Sequence, residues 1–579
     1  MKIVQYFKNI LSSLYLSLRR FPFTILLSAS IAAVLIAIHE IRPSEDNLAK
    51  VAMVLALGIP LSLSIKLFFE KRNEEKSPKL LISYGVGAIA LIVYYLFLLK
   101  GDMGMVTTTR YMAVSLALYM TFLFTPYFPG KDGFEMYVIQ VATGFFTTVI
   151  YSVVLFGGLS AILFAIDRLL GIEVLGKVYY YTWLFVVFLF AVSYFLSGIP
   201  LKDKVISSKA YPKLLRILIL YIVMPLLTAY TLILYAYFGK IIITQTWPVG
   251  LVSHLVLWYS VIVTLVLFFI TPILDESSWA HKFLKVFPKV LLPLIIMMFI
   301  SIGIRINAYG VTEPRYYVVI LALWVFSIMI YFSFIKKLRN IYIPASLAVI
   351  ALISVFGPLS SYSLSKYSQN TRLENILVKN NMLKDGKIQS SSAVPKEDKI
   401  NISSILSYFN RNHSLKTLKY IPANFKIEDM NKVFGFSYED PIYTSPDRYF
   451  YFTKISKEKG MDVRGYDYFF DMASMYNKNT SEAKDVDAVY DYDSSTLKIS
   501  HLGSEVYKKD LEGFIKNLIS KYGSGERENM IPEEEMTFLE ENDRVKVKIV
   551  FQHISGSKNN SSGEINGKGF DFYLLVKIK

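Results

Sequence analysis

The chain contains no cysteine among its 579 residues, which removes disulfides, thiolate nucleophiles and cysteine metal sites at once. Charge is scarce too: Asp, Glu, Lys and Arg make up 19%, against about 25% in soluble domains. The six histidines (His39, His254, His281, His413, His501 and His553) show no metal-ligand spacing, and no His-Glu-x-x-His occurs. No metal and no cofactor is therefore assigned. There is no Gly-x-Ser-x-Gly elbow to support an α/β-hydrolase. Residues 563–569 hold one residue too few between their glycines for a phosphate loop and read as a hairpin loop. No catalytic residue follows from any motif. What the chain does have is 53% hydrophobic residues, 41 Tyr, 41 Phe and a mean hydropathy of +0.40. In water such a composition would expose large apolar patches, so the chain reads as a membrane protein.

A helix needs about 20 mostly apolar residues to cross a hydrocarbon core of about 30 Å. Eleven stretches qualify, at roughly 21–41, 50–69, 80–99, 111–127, 136–166, 178–199, 214–238, 249–272, 284–304, 316–335 and 341–358. The fifth, at about 31 residues, predicts either one long tilted helix or a break at Gly157-Gly158. Pro225 and Pro293 predict kinks. The expected fold is an α-helical polytopic bundle of about eleven transmembrane helices, followed by a soluble α+β C-terminal domain.

The net charge of +16 invites a nucleic-acid reading until it is located. Residues 1–365 carry 30 Lys/Arg against 15 Asp/Glu, whereas 366–579 carry 32 against 31, so the tail offers no nucleic-acid surface. With the N-terminus inside, 21 of those 30 fall on cytoplasmic segments and nine on outer loops, alternating loop by loop. That split predicts a plasma-membrane protein with a cytoplasmic N-terminus and an extracytoplasmic tail, and the apolar run after Arg19 and Arg20, too long for a cleaved signal peptide, predicts a retained signal anchor. The expected organisation is 1–358 membrane domain, 359–400 helix and linker, and 401–579 outer domain. Within the tail, 402–409 and 507–522 read as helices. The segments 448–455, 496–502, 544–552 and 570–578 read as strands, the last two as a hairpin around a long loop at 555–569. Residues 485–493 alternate acidic and apolar side chains, a pattern that suits either a hard cation or a solvated strand and turn; the latter is the stronger reading.

Several phrases carry a family resemblance. They are Ser197-Gly198-Ile199-Pro200, Tyr211-Pro212-Lys213, Ile233-Leu234-Tyr235-Ala236-Tyr237 and Thr246-Trp247-Pro248. Then come Tyr309-Gly310-Val311-Thr312-Glu313-Pro314-Arg315-Tyr316 with Trp324 downstream, and Phe356-Gly357-Pro358 leading into Ser363-Leu364-Ser365-Lys366. In this order and spacing they resemble the bacterial membrane family catalogued as domain of unknown function 4153. The resemblance implies a multi-pass protein with a soluble C-terminal domain and carries no activity or catalytic residue with it.

Ionisable residues at membrane depth are expensive unless paired or hydrated, so each is a candidate for function. His39, Glu40, Asp167, Arg168, His254, Arg305, Asn307, Glu313 and Arg315 all lie at predicted outer helix ends and are the candidate ligand-binding residues. The competing reading pairs Arg305 with Glu313 and Asp167 with Arg168, and leaves His254 bonded across helices. Residues 305–316 are the densest feature, with Gly310 suited to a turn and Pro314 to a helix start. Three functions compete: an envelope-associated binding, signalling or scaffold protein with the lipid bilayer and an envelope protein as partners; a transporter of a small or lipidic substrate; and a transferase using a lipid-linked donor. Few midplane charges disfavour transport, and a short first outer loop holding Glu45 and Asp46 disfavours the transferase.

Overall fold

The computed structural model describes residues 15–41, 47–99, 101, 103–130, 132–201, 210–244, 251–335, 337–422, 424–439, 447–455, 460–472, 480–483, 485–491, 494–522, 529–559 and 565–579. Outside them lie Lys2, Lys8, Arg42, Glu45, Asp46, Lys100, Lys131, Lys202, Lys204, Lys209, the Thr246-Trp247-Pro248 phrase, and parts of 485–493 and 563–569. The chain forms two compact units. One comprises Met1–Ser392 with Ile405–Gly435, the other Ala393–Ser404 with Phe436–Lys579.

In the first unit the apolar runs become helices α1 Pro22–Ile41, α2 Asn47–Lys71, α3 Pro78–Leu99, α4 Met105–Phe124, α5 Phe134–Leu170, α6 Gly176–Ser197, α7 Lys213–Thr244, α8 Leu251–Ile270, α9 Ser278–Tyr309, α10 Glu313–Phe334 and α11 Tyr342–Val355. Among the described residues nine of these are long and apolar enough to cross a membrane. The other two are α4, diluted by Thr107, Thr108, Thr109 and Arg110, and α11, whose 14 residues rise only about 21 Å. These two pack on each other through Ala117, Ala348 and Ala351, small residues that let backbones approach closely. The fifth stretch is one continuous helix of 37 residues through Gly157-Gly158, about 55 Å long. Pro293 likewise lies inside an unbroken α9.

Among the described residues, hydrogen bonds between helix ends join nine of the eleven helices in a pattern that fits strict alternation. At one end Arg20, just before α1, clamps Glu70 at the foot of α2 (Nη2–Oε1 2.6 Å) and donates to the carbonyls of Ile199 (2.7 Å) and Pro200 (3.0 Å) after α6. At that same end Arg216 pairs with Glu276 (2.7 Å), and Asn340 donates to Glu135 (2.8 Å) and Thr271 (3.1 Å). At the other end Lys50 reaches the Gly101 carbonyl (2.8 Å), Lys177 pairs with Glu40 (3.0 Å), and Tyr316 donates to the Leu359 carbonyl (2.7 Å). Arg20 meets Ile199 only if an even number of crossings separates α2 from the end of α6. Helix α4 therefore runs the length of the bundle, although its composition alone leaves it short.

After α11 come α12 Ser361–Lys379, a small hairpin of β1 Leu383–Lys384 and β2 Lys387–Ile388, and α13 Lys396–Asn412. The second unit is α+β. A sheet of order β4-β12-β11-β3-β9, with β10 also on β11, uses β3 Asp447–Ile455, β4 Tyr468–Asp471, β9 Asn529–Pro532, β10 Thr537–Glu541, β11 Val545–Asn559 and β12 Ile565–Ile578. A second sheet pairs β5 Thr480–Ala483, β6 Val486–Asp491, β7 Thr496–His501 and β8 Ser504–Asp510 in sequence order. The predicted hairpin forms, but its loop is shorter than 555–569: the ladder continues through Ser555↔Gly569 to Lys558↔Ile565. The helix predicted over 507–522 starts only at Glu512 (α14 Glu512–Tyr522), because Ser504–Asp510 is strand, with Tyr507 bonded to Glu540 (2.6 Å). Residues 486–491 are strand rather than a cation loop, and Ser494 caps Asp491 (2.7 Å). Phe452, Phe551, Phe570 and Phe572 fill the core, and Phe514 of α14 stacks on Phe551 at 5.1 Å.

Glu70 is buried, and removing one member of a buried ion pair strands the other. Glu70→Ala should lower unfolding stability by about 3 kcal/mol, seen as an earlier thermal transition in detergent. The double replacement Arg20→Met with Glu70→Leu should recover part of that loss.

Candidate functional site

The turn between α9 and α10 concentrates the chemistry. Gly310 has φ +70°, and a Cβ there would stand 2.7 Å from Gln369 Nε2, so glycine is required on two counts. The backbone of the turn is gripped by α12. Ser368 Oγ accepts from the Val311 amide (2.9 Å), and Gln369 Nε2 donates to the Tyr309 (3.0 Å) and Val311 (2.9 Å) carbonyls. Arg315 closes the turn from its other side by donating to the Gly310 (2.7 Å) and Tyr309 (3.1 Å) carbonyls, its guanidinium 5.5 Å from the Tyr309 ring centre.

Glu313 opens α10, where the positive end of the helix dipole suits a carboxylate. Its side chain is only 2% exposed, and it is not paired with Arg305. Tyr408 donates its hydroxyl proton across both carboxylate oxygens (2.7 and 2.8 Å). His413, with its proton on Nε2, donates to Oε1 at 2.7 Å. The two donors lie 3.0 Å apart. Burial, reinforced by the bond to Glu313, pushes the Tyr408 phenol above its ordinary value, so it stays a donor at physiological pH. The carboxylate is satisfied and closed off, an arrangement that fixes structure rather than one that awaits a substrate.

Arg305 points elsewhere. With His254 it borders a groove of about 920 Å³ between α7, α8 and α9, otherwise lined by Val223, Leu226, Leu227, Tyr230, Leu255, Trp258, Tyr259 and Ile262. Val223 ends a π-helical turn, Leu218–Val223, within α7. Tyr259 is held by Thr231 and by the Leu227 carbonyl (3.3 Å). His254 and Arg305 both lie at the ends of α8 and α9 remote from the connection Thr271–Glu276, so the polar groups share one end of an apolar cleft.

The remaining candidates are separate. Glu40 is bonded to Lys177 and Tyr181, while His39 packs against the Tyr180 and Tyr181 rings at 5.1 and 5.7 Å. Asp167 accepts from the Val174 amide (3.1 Å) and lies 3.5 Å from Arg168, an exposed helix end. Asn307 is exposed. Sequence reasoning missed Tyr408 and His413. Their spacing of five residues on a helix end marks nothing by itself, and the partner is about a hundred residues upstream.

A family model described as domain of unknown function (DUF4153) matches residues 23–396. The chain belongs to this family. The DUF4153 match takes in the groove and the α9–α10 turn and stops at the first residue of α13, short of Tyr408 and His413. A relative in Pasteurella multocida (strain Pm70), the uncharacterized protein PM1469, is 23% identical over 454 residues, 77% of this chain and 75% of its own length. No solved structure matches the chain. The family and the apolar helices make this a multi-pass membrane protein.

Losing one donor to a buried carboxylate costs about 2 kcal/mol. Tyr408→Phe should lower thermal stability in detergent by about that amount, whereas Asn307→Ala, exposed in the same turn, should shift it by less than about 0.5 kcal/mol.

Proposed function

We propose that this DUF4153 protein is an envelope-associated binding and signalling protein of the bacterial inner membrane, whose bundle takes an amphiphilic ligand sideways from the bilayer. The N-terminus is cytoplasmic and the C-terminal unit extracytoplasmic, as a protein partner in the envelope would require. The observation that carries the reading is the groove: apolar along α7 and α8, polar at one end, and open rather than enclosed. A transporter is less well supported, because Arg305 and His254 stand near helix ends rather than at the midplane. A transferase is less well supported too, because no carboxylate lines the groove among the described residues and Glu313 is committed to Tyr408 and His413.

Signalling is supported by one turn carrying both groups. Arg305 borders the groove, and eight residues later Glu313 is locked to α13, so an occupant that moves Arg305 pulls on the locked segment. The orientation rests on the 21-to-9 sorting of Lys and Arg together with the alternation of helix ends.

Two measurements test this reading. Alkaline phosphatase fused after Lys579 should be active, and activity only of a cytosolic reporter there would reverse the topology. Native mass spectrometry of the gently solubilised protein should show about one retained amphiphile per chain. Leu226→Trp, which fills the groove from a position already exposed, should lose it. Equal retention by both proteins would remove the groove as a binding site.

A further inference from the structure

The groove is occupied by an anionic lipid, we infer, with an acyl chain lying along α7 and α8 and its phosphate held by Arg305. This rests on the lateral-binding reading above and names its ligand class. The apolar lining of Leu226, Leu255, Trp258 and Ile262 matches a hydrocarbon chain, and a volume of about 920 Å³ lies within the range of real ligand sites.

The charge at its end is the more specific clue. Arg305 Nε is buried and makes no hydrogen bond, and among the described residues Arg305 has no ion pair. Arg110, whose Nε is in the same position, at least sits over the Phe356 and Tyr362 rings at 5.4 and 5.6 Å. Arg305 has no such ring among the described residues. Positive charge also accumulates beside it. Arg315 and Arg372 both lie against the Tyr309 ring, four residues after Arg305, at 5.5 and 6.0 Å from its centre. The nearest acid in sequence, Glu313, is spent on Tyr408 and His413.

A guanidinium near the end of a spanning helix, with its Nε buried and unbonded, gains from an anionic partner, and its planar fork matches a phosphate with two parallel hydrogen bonds. The cleft that continues from Arg305 is apolar among the described residues, so an anion carried on a hydrocarbon chain fits it better than free phosphate does. His254, at the same end of the groove, supplies a second polar contact for the headgroup.

Trp258 lines the groove and reports its occupant. Its fluorescence, taken as the difference between wild type and Trp258→Phe, is followed in vesicles that mix phosphatidylcholine with chain-brominated phosphatidylglycerol or chain-brominated phosphatidylcholine. The anionic quencher should reach half-effect at a mole fraction about tenfold below that of the neutral one. Arg305→Gln should abolish the preference, and Arg305→Lys, which keeps the charge but loses the fork, should retain part of it. Trp183 gives the lipid-annulus baseline through the matching Trp183→Phe difference. Equal half-effects for the two quenchers, an unchanged preference in Arg305→Gln, or displacement by inorganic phosphate alone would each overturn the assignment. If Trp258 ignores headgroup charge while Leu226→Trp still loses its co-purified amphiphile, this inference fails and lateral binding stands. If neither responds, both fail.

Discussion

Inside a bilayer no water is available to satisfy a polar group, so every charge in this protein must be closed by protein or lie where something else can close it. The bundle obeys this constraint at both ends. Arg20 satisfies a carboxylate and two carbonyls from two different segments with one guanidinium. Glu313 receives two donors at the opposite end, and Arg315 is spent on the carbonyls of its own turn. These contacts sit where helices begin and end, which is why they also record which ends lie together. Between them the helices are joined by short polar links such as Thr24 with Ser62 (2.8 Å) and Trp324 with Ser346 (2.9 Å), and otherwise by packing.

The same constraint explains what could be read from the sequence. Apolar runs of about 20 residues leave one solution for the backbone, so the helices from α1 to α11 were legible one by one. Several phrases that carry the family resemblance turn out to be end-locks: Ile199 and Pro200 accept from Arg20, Tyr211 donates to the Phe269 carbonyl (3.1 Å), and Tyr316 donates to that of Leu359. Composition showed these residues without showing what they hold. The partners are 43, 58, 179 and 180 residues apart, and no periodicity encodes such distances.

Errors in the soluble part have a different cause. The stretch 555–569 is rich in glycine, serine and asparagine, residues poor in strand propensity. Yet β11 is gripped on both sides, by β12 and by β3, through Ser555 and Ser557. Tertiary pairing overrode local preference there. Residues 507–510 read as the start of a helix because Leu511 and Phe514 begin a helical stripe immediately afterwards. The boundary is set by Tyr507 and Lys509 reaching the same carboxylate, Glu540, from one face of a strand.

Glu313 and Arg305 stand eight residues apart and were expected to be equivalent, or even partners. Their fates differ because their neighbours differ. A carboxylate at a helix start, met by a phenol and an imidazole, has nothing left to accept and can change only by breaking the lock. An arginine one turn before a helix end, beside two further arginines and facing an apolar cleft, has donors in excess and no acid within the described residues to receive them. Electrostatics alone would push that guanidinium toward the headgroup region, yet its Nε is buried. The structure leaves one nitrogen of a cation buried and unbonded at the mouth of a space lined by apolar side chains. A ligand bearing both an anion and a chain resolves the two features together, whereas either feature by itself would be an unexplained cost.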